Sequence, residues 1–204
     1  PVDPPSGDAC WWSNRGDDID AKLTRPVDLR SISEATLEFW AWWDIEDEWD
    51  HGYVVISTDD GSSWEALPGT LTRSHDPLGL RLGPSYSGRS NGWKRERIDL
   101  TPFAGNEVLL RFEYITQESL HKSGWCIDDI TIQTIGSPDS TEAEDDWESD
   151  GFHRIAPNGV TQHFFIRLVE GRGDDAVVTP LELDAAGTAT MRVERPTTLI
   201  VTAI

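Results

Sequence analysis

Three groups of carboxylates in this chain have the residue types and spacing to hold a hard cation. Asp17, Asp18 and Asp20 fall together in an early loop, Asp44, Glu46, Asp47, Glu48 and Asp50 follow a Trp-rich run, and Asp128 and Asp129 sit side by side in an apolar stretch. Calcium takes about six to eight oxygen ligands from segments that can adapt, and carboxylates serve it well. Neighbouring residues of a strand face opposite sides, so at most one of Asp128 and Asp129 points into a core. There it needs a cation or several donors, and a metal is the simplest partner. The run Asp44 to Asp50 reads as a solvated face.

Other chemistry finds little support. The histidines, His51, His75, His121, His153 and His163, form no HExxH, so zinc proteolysis has no ligand set here. A G-x-S-x-G elbow and a phosphate-cradling Gly loop are also absent. A glycosidase needs two carboxylates in one cleft, a requirement that 37 acids make uninformative. Arg15-Gly16-Asp17 spells the tripeptide of integrin ligands, but three residues match often by chance. The chain is expected to be non-catalytic.

Cys10 and Cys126 lie where the first and last strands of a sandwich often pair. A disulfide between them would close a loop of about 115 residues and stabilise by roughly 4 to 5 kcal/mol. Two buried free thiols are the alternative.

With 17 basic residues against 37 acidic ones among 204, the net charge is −20. A nucleic-acid partner is thereby excluded, since no basic cluster exceeds Lys94, Arg95 and Arg97. The longest apolar run, Phe39 to Trp43, is far short of the roughly 20 residues of a membrane span. Ten Trp point to a β-rich core or an exposed aromatic platform.

Period-two runs bounded by Gly, Pro, Asn and Asp predict strands at Asp20 to Leu29, Thr36 to Trp43, Tyr53 to Ser57, Trp93 to Leu100, Glu107 to Thr116 and Trp125 to Thr134. Together they make an all-β fold, an antiparallel jelly-roll β-sandwich over residues 1–136. Gly and Pro at 69 to 92 mark a long irregular excursion. Ser57 to Trp64 matches the Asp-box turn S-x-D-x-G-x-[ST]-W, a structural signature. An acidic segment, 137–150, reads as a linker with Trp147 as its one large apolar residue. Runs at Gln162 to Val169, Val177 to Leu183, Thr188 to Val193 and Thr198 to Ile204 predict a smaller β-sandwich-like module over 151–204. Its last run ends without turn residues, so the module reads as truncated. Pro1 follows no Met or apolar signal segment, as in a mature or excised form.

Four motifs in order resemble a known family. Trp11-Trp12-Ser13 with Gly16-Asp17-Asp18, Trp43-Asp44-Ile45-Glu46 with Trp49-Asp50, Ser57 to Trp64, and Gly124-Trp125 with Ile127-Asp128-Asp129-Ile130 look like the non-catalytic region of immune inhibitor A metallopeptidases. The last motif is also similar to the close of MAM modules, extracellular jelly rolls with a cation site. Trp147, Gly151, Phe152 and Arg154 resemble the opening of the small module that follows in such proteins.

The resemblance implies secretion, an upstream zinc catalytic domain as partner, no zinc in this chain, and structural Ca2+. The expected ligands are Asp128 and Asp129, with Asp128 core-side, helped by Asp17, Asp18 and Glu38. As the alternative, a carbohydrate-binding jelly roll would use exposed Trp, foremost Trp49 and Trp93. A third reading, self-association, would use the open strand at Thr198 to Ile204. A glycan or protein substrate is the remaining partner class.

Overall fold

The computed structural model describes residues 3–135, 146–156, 164–171, 176–181 and 197–203. Contacts divide the chain into two compact units, Pro1–Gly159 and Val160–Ile204.

The first unit contains β1 (Cys10–Trp12), β2 (Asp20–Asp28), β3 (Glu34–Asp44), β4 (His51–Ser57), β5 (Glu65–Ala66), β6 (Lys94–Asp99), β7 (Glu107–Ile115), β8 (Gly124–Ile135), β9 (Glu148–Asp150) and β10 (His153–Ile155). They form two five-stranded sheets, ordered β10-β1-β8-β3-β6 and β5-β4-β7-β2-β9. The strand pairs within each sheet are antiparallel, as a sandwich of this kind requires.

Alternation builds the core. Leu37, Phe39, Ala41 and Trp43 of β3 are buried, and so are Val108, Leu110, Phe112 and Tyr114 of β7. The rings of Phe39 and Phe112 meet edge to face at 5.0 Å. Trp125 lies so close over Gly52 that a Cβ there would approach its ring at 2.8 Å, which explains the glycine inside a buried strand. Trp43, Trp125 and Trp147 are buried. Trp40 and Trp42, which share a strand face, turn away from this core and are half-buried.

The unit boundary differs from the expected one. Residues 148–150 pair with β2 and residues 153–155 with β1, so the end of the acidic segment and the start of the expected small module belong to the sandwich. The physical reason is apolar closure: Trp147 packs on Phe112 at 5.3 Å and Phe152 on Trp125 at 6.5 Å between ring centroids. Without these two aromatics the open end of the core would face water.

In the second unit, β11 (Phe164–Glu170), β12 (Val177–Leu181) and β13 (Thr197–Ala203) form an antiparallel sheet ordered β12-β11-β13. β13 is an edge strand of that sheet, with Leu199 and Ile200 exposed. The run expected at Thr188 to Val193 lies outside the described residues, as do Asp139, Glu142, Glu144 and Asp145. Among the described residues, no helix is long and apolar enough to cross a membrane.

Candidate functional site

The expected ligands do not converge. Asp128 lies on the face it shares with Cys126 and, across the strand pair, Trp40, which is the outer face of its sheet and not the core side. A bulge accompanies it: Glu38 pairs with Thr131 and Trp40 with Asp128, so two residues of β8 stand against Phe39 alone. Asp129 takes the strained turn of that bulge at φ 47°. Asp128 is 3 % exposed, and burial raises its carboxyl above the usual range, opposed by the amides of Asp129 and Ser6 and by the Arg154 guanidinium. Ser6 donates its amide to Asp128 Oδ2 at 3.5 Å and its hydroxyl to Asp129. Trp11, Ile130, Trp147 and Arg154 complete a small pocket around the pair. This acid pair already has donors and a neighbouring cation.

Glu38 is no free ligand. Arg95 donates to it at 2.6 Å, Arg97 at 2.9 Å and Gln133 at 3.2 Å. Two guanidiniums thus answer its charge, an arrangement that leaves an ion little to gain.

Asp17 and Asp18 sit elsewhere, in the loop between β1 and β2. That loop is fastened to the end of β7: Ile19 N donates to Thr116 Oγ1, and Thr116 Oγ1 to Gly16 O, both at 2.9 Å. Asp17 pairs with His121 Nδ1 at 2.9 Å. The same end of β7 receives the turn after β3, because Gln117 N donates to Asp50 Oδ1 at 2.8 Å. Asp50 is 0 % exposed, and its Oδ2 has no partner. Burial raises its carboxyl to about 6, the Gln117 amide opposing, with Glu46 and Asp17 adding to the rise. Among the described residues, no three acidic, His or Cys side chains stand close enough together to hold an ion as they are. The expected set of Asp128, Asp129, Asp17, Asp18 and Glu38 is therefore not one site.

Cys10 and Cys126 are free thiols, both fully buried and in contact. The neighbouring Cys126 thiol holds the Cys10 thiol below its ordinary range, and Cys126 is itself pushed up. Ile155 joins them in a second small cluster, with Trp12, Trp42 and Trp93 packed around it.

The sequence model described as "Immune inhibitor A-like, MAM domain" matches residues 1–156. The chain belongs to this family. The match takes in Trp147, Phe152 and the strands at 148–150 and 153–155, and leaves out the second unit. The chain is 31 % identical over 168 residues to the pre-pro-metalloprotease PrtV of Vibrio cholerae serotype O1 (strain M66-2), covering 81 % of this chain and 18 % of that protein. Immune inhibitor A of Bacillus thuringiensis subsp. alesti is 30 % identical over 156 residues, covering 74 % of this chain and 21 % of that protein. Bacillopeptidase F of Bacillus subtilis (strain 168) is 28 % identical over 107 residues, covering 52 % and 6 %. The chain thus corresponds to a minor part of each of these larger proteins, consistent with a region accessory to catalysis.

In this family member the aromatic platform is thin. Trp49 is 49 % exposed. Trp93 is half-buried and donates its ring N–H to Asp3 O at 2.7 Å. The turn at 57–64 is closed locally by Ser57 and Asp59, and Trp64 lies beneath Arg111 at 3.7 Å.

One important residue escaped the sequence reading altogether. Glu96 is 0 % exposed and accepts hydrogen bonds from Thr70 N, Thr70 Oγ1, Leu71 N and Tyr86 Oη at 2.6 to 3.0 Å. It fastens the long excursion to β6. Its only signal was parity with Ile98 and Leu100 inside a run dominated by Lys94, Arg95 and Arg97.

Proposed function

We propose that this chain is the non-catalytic, calcium-stabilised accessory region of a secreted immune inhibitor A-like metallopeptidase, acting to position or target an upstream catalytic domain. The observation that carries the reading is the family match across the whole sandwich, in relatives of which this region is only a small part. A buried acid with an unpartnered oxygen supports the calcium component. The chain alone, supplied with zinc, should cleave no casein; cleavage lost in a chelator would overturn the reading. Joined to the zinc domain of its parent protein, it should change substrate binding or stability while the chemistry stays with that domain.

Secretion also bears on the thiols. In an oxidising compartment, exchange with a disulfide-carrying oxidant would join Cys10 to Cys126, both thiols losing their protons and the oxidant taking up the two electrons. Mass spectrometry of protein recovered from the extracellular medium should show the intact chain two hydrogens lighter than after reduction. An unchanged mass would remove the bridge.

A further inference from the structure

We infer that the outer face of the β10-β1-β8-β3-β6 sheet is a docking surface for an extended, proline-containing peptide, and that residues 3–7 of this chain are a displaceable strap across it. The inference stands apart from the metallopeptidase and calcium readings.

Register gathers aromatics on that face. Trp12 and Trp42 both stand opposite Cys126, Trp40 stands opposite Asp128, and Trp93 precedes Lys94, the partner of Ala41. Trp12, Trp42 and Trp93 pack around Cys10, Cys126 and Ile155, and these rings, like that of Trp40, stay half-buried. Proline-rich chains in the polyproline II conformation dock in aromatic-lined grooves, and an indole N–H at the rim can donate to a peptide carbonyl.

The segment before β1 already makes such a contact. Trp93 Nε1 donates to Asp3 O at 2.7 Å, while Ser6 donates its amide to Asp128 Oδ2 at 3.5 Å and its hydroxyl to Asp129. β3 lies between β6 and β8, so Pro4 and Pro5 cross the strand that carries Trp40 and Trp42. Proline fixes φ at about −65° and keeps the residue before it extended, which presets Asp3 to Pro5 for polyproline II. Three residues of that helix advance about 9 Å. Strands two places apart in a sheet are separated by roughly 9 to 10 Å. Length, shape and donor therefore agree.

The hold is light. Asp3, Pro5, Ser6, Gly7 and Asp8 are exposed, and the Ser6 amide bond is long. Among the described residues, the segment joins no strand before Cys10. Gly7, at φ 56°, turns the chain toward β1. The strap's own acids, Asp3 and Asp8, carry the same sign as Asp128 and Asp129. A segment held in this way gives place to a competitor of the same chemistry.

The test adds a synthetic peptide of residues 1–9 to the whole chain and to the double variant Pro4→Gly, Pro5→Gly, which slackens the strap without shortening it. Tryptophan fluorescence should report saturable binding at least about tenfold tighter in the variant, because the wild-type strap competes from its high local concentration. The same peptide with both prolines replaced by glycine should bind neither. N-bromosuccinimide should oxidise Trp93, mapped by peptide mass, faster in the variant than in wild type, and the first peptide should restore protection. Trp93→Phe in the variant keeps a ring but loses the indole N–H, and should weaken the peptide about fivefold or more. Should Trp93→Phe fold poorly, the oxidation footprint decides. No binding to the variant, equal binding of the two peptides, equal Trp93 oxidation, or dimers joined by exchanged straps in size-exclusion chromatography would overturn the inference.

Discussion

Glu96 and Asp50 are both 0 % exposed, and the fold treats them in opposite ways. Glu96 sits where the long excursion folds back, and four donors from Thr70, Leu71 and Tyr86 fill its two oxygens. Asp50 receives one donor, from Gln117, and faces the like charges of Glu46 and Asp17. A carboxylate satisfied by the protein itself fastens structure; one left half satisfied among other acids carries an energetic cost instead. Burial alone therefore does not mark a site.

The largest effect should come from breaking the satisfied member. Glu96→Ala strands three or four donors beneath the excursion, and losses of this kind run to roughly 4 kcal/mol or more. Urea unfolding should report it, together with new proteolytic cuts between residues 69 and 92. A cost below about 1 kcal/mol would mean that the excursion is held by other contacts. Calcium should not repair the damage.

Gly69→Ala attacks the same contact from the other side. A Cβ at Gly69 would lie 2.8 Å from the Glu96 carboxyl carbon, so either the loop or the carboxylate must shift. Overpacking of this sort costs about 1 to 3 kcal/mol, less than losing the carboxylate itself. Equal stability of variant and wild type in urea would show that the loop has slack.

For Asp50 the sign should invert. Without calcium, Asp50→Asn keeps the acceptor for Gln117 and replaces an orphan anionic oxygen with an amide that can donate to Glu46 or Asp17. The variant should be more stable than wild type by about 1 kcal/mol when calcium is chelated. Destabilisation in chelator would place Asp50 in the same class as Glu96 and erase the contrast.

Much of the sandwich was legible because alternation is a local signal. β3 carries Leu37, Phe39, Ala41 and Trp43 at period two, and the structure buries all four. The three-residue strands β1, β9 and β10 were not legible, since each is too short to show a period and pairs with residues distant in sequence. Trp147 was visible in the acidic segment but read as an exception, whereas a lone large aromatic there was the signal of a return to the core. The acids were legible as clusters and not as sites. Whether a carboxylate is answered depends on arginines brought in from elsewhere: Arg73, Arg81 and Arg89 of the excursion reach back to Asp47, Glu48 and Asp44, and skip Asp50. The bulge at Asp129 likewise has no local sequence signal, because it arises from the register between β8 and β3.

The smallest effect belongs to a third kind of carboxylate, exposed and fully answered. Ser63 gives Asp59 both its hydroxyl at 2.6 Å and its amide at 2.9 Å, and Ser57 adds its hydroxyl at 2.8 Å. The Ser63 hydroxyl, then the Ser63 amide and the Ser57 hydroxyl, hold the Asp59 carboxyl at about 2, below its ordinary 3.8. A depressed acid contributes stability that is complete above the unfolded value and disappears as pH falls through the folded one. Asp59→Asn should therefore lie slightly below wild type in thermal midpoint at neutral pH, with the gap closing between about pH 4 and 2. Solvent screens this exposed turn, so the gap should stay smaller than that of any variant at Glu96. Calcium should leave it unchanged, because every oxygen of Asp59 already has a donor within the turn. A calcium-dependent gap would mean that an answered, exposed carboxylate still recruits the ion, and the rule drawn from Glu96 and Asp50 would fail.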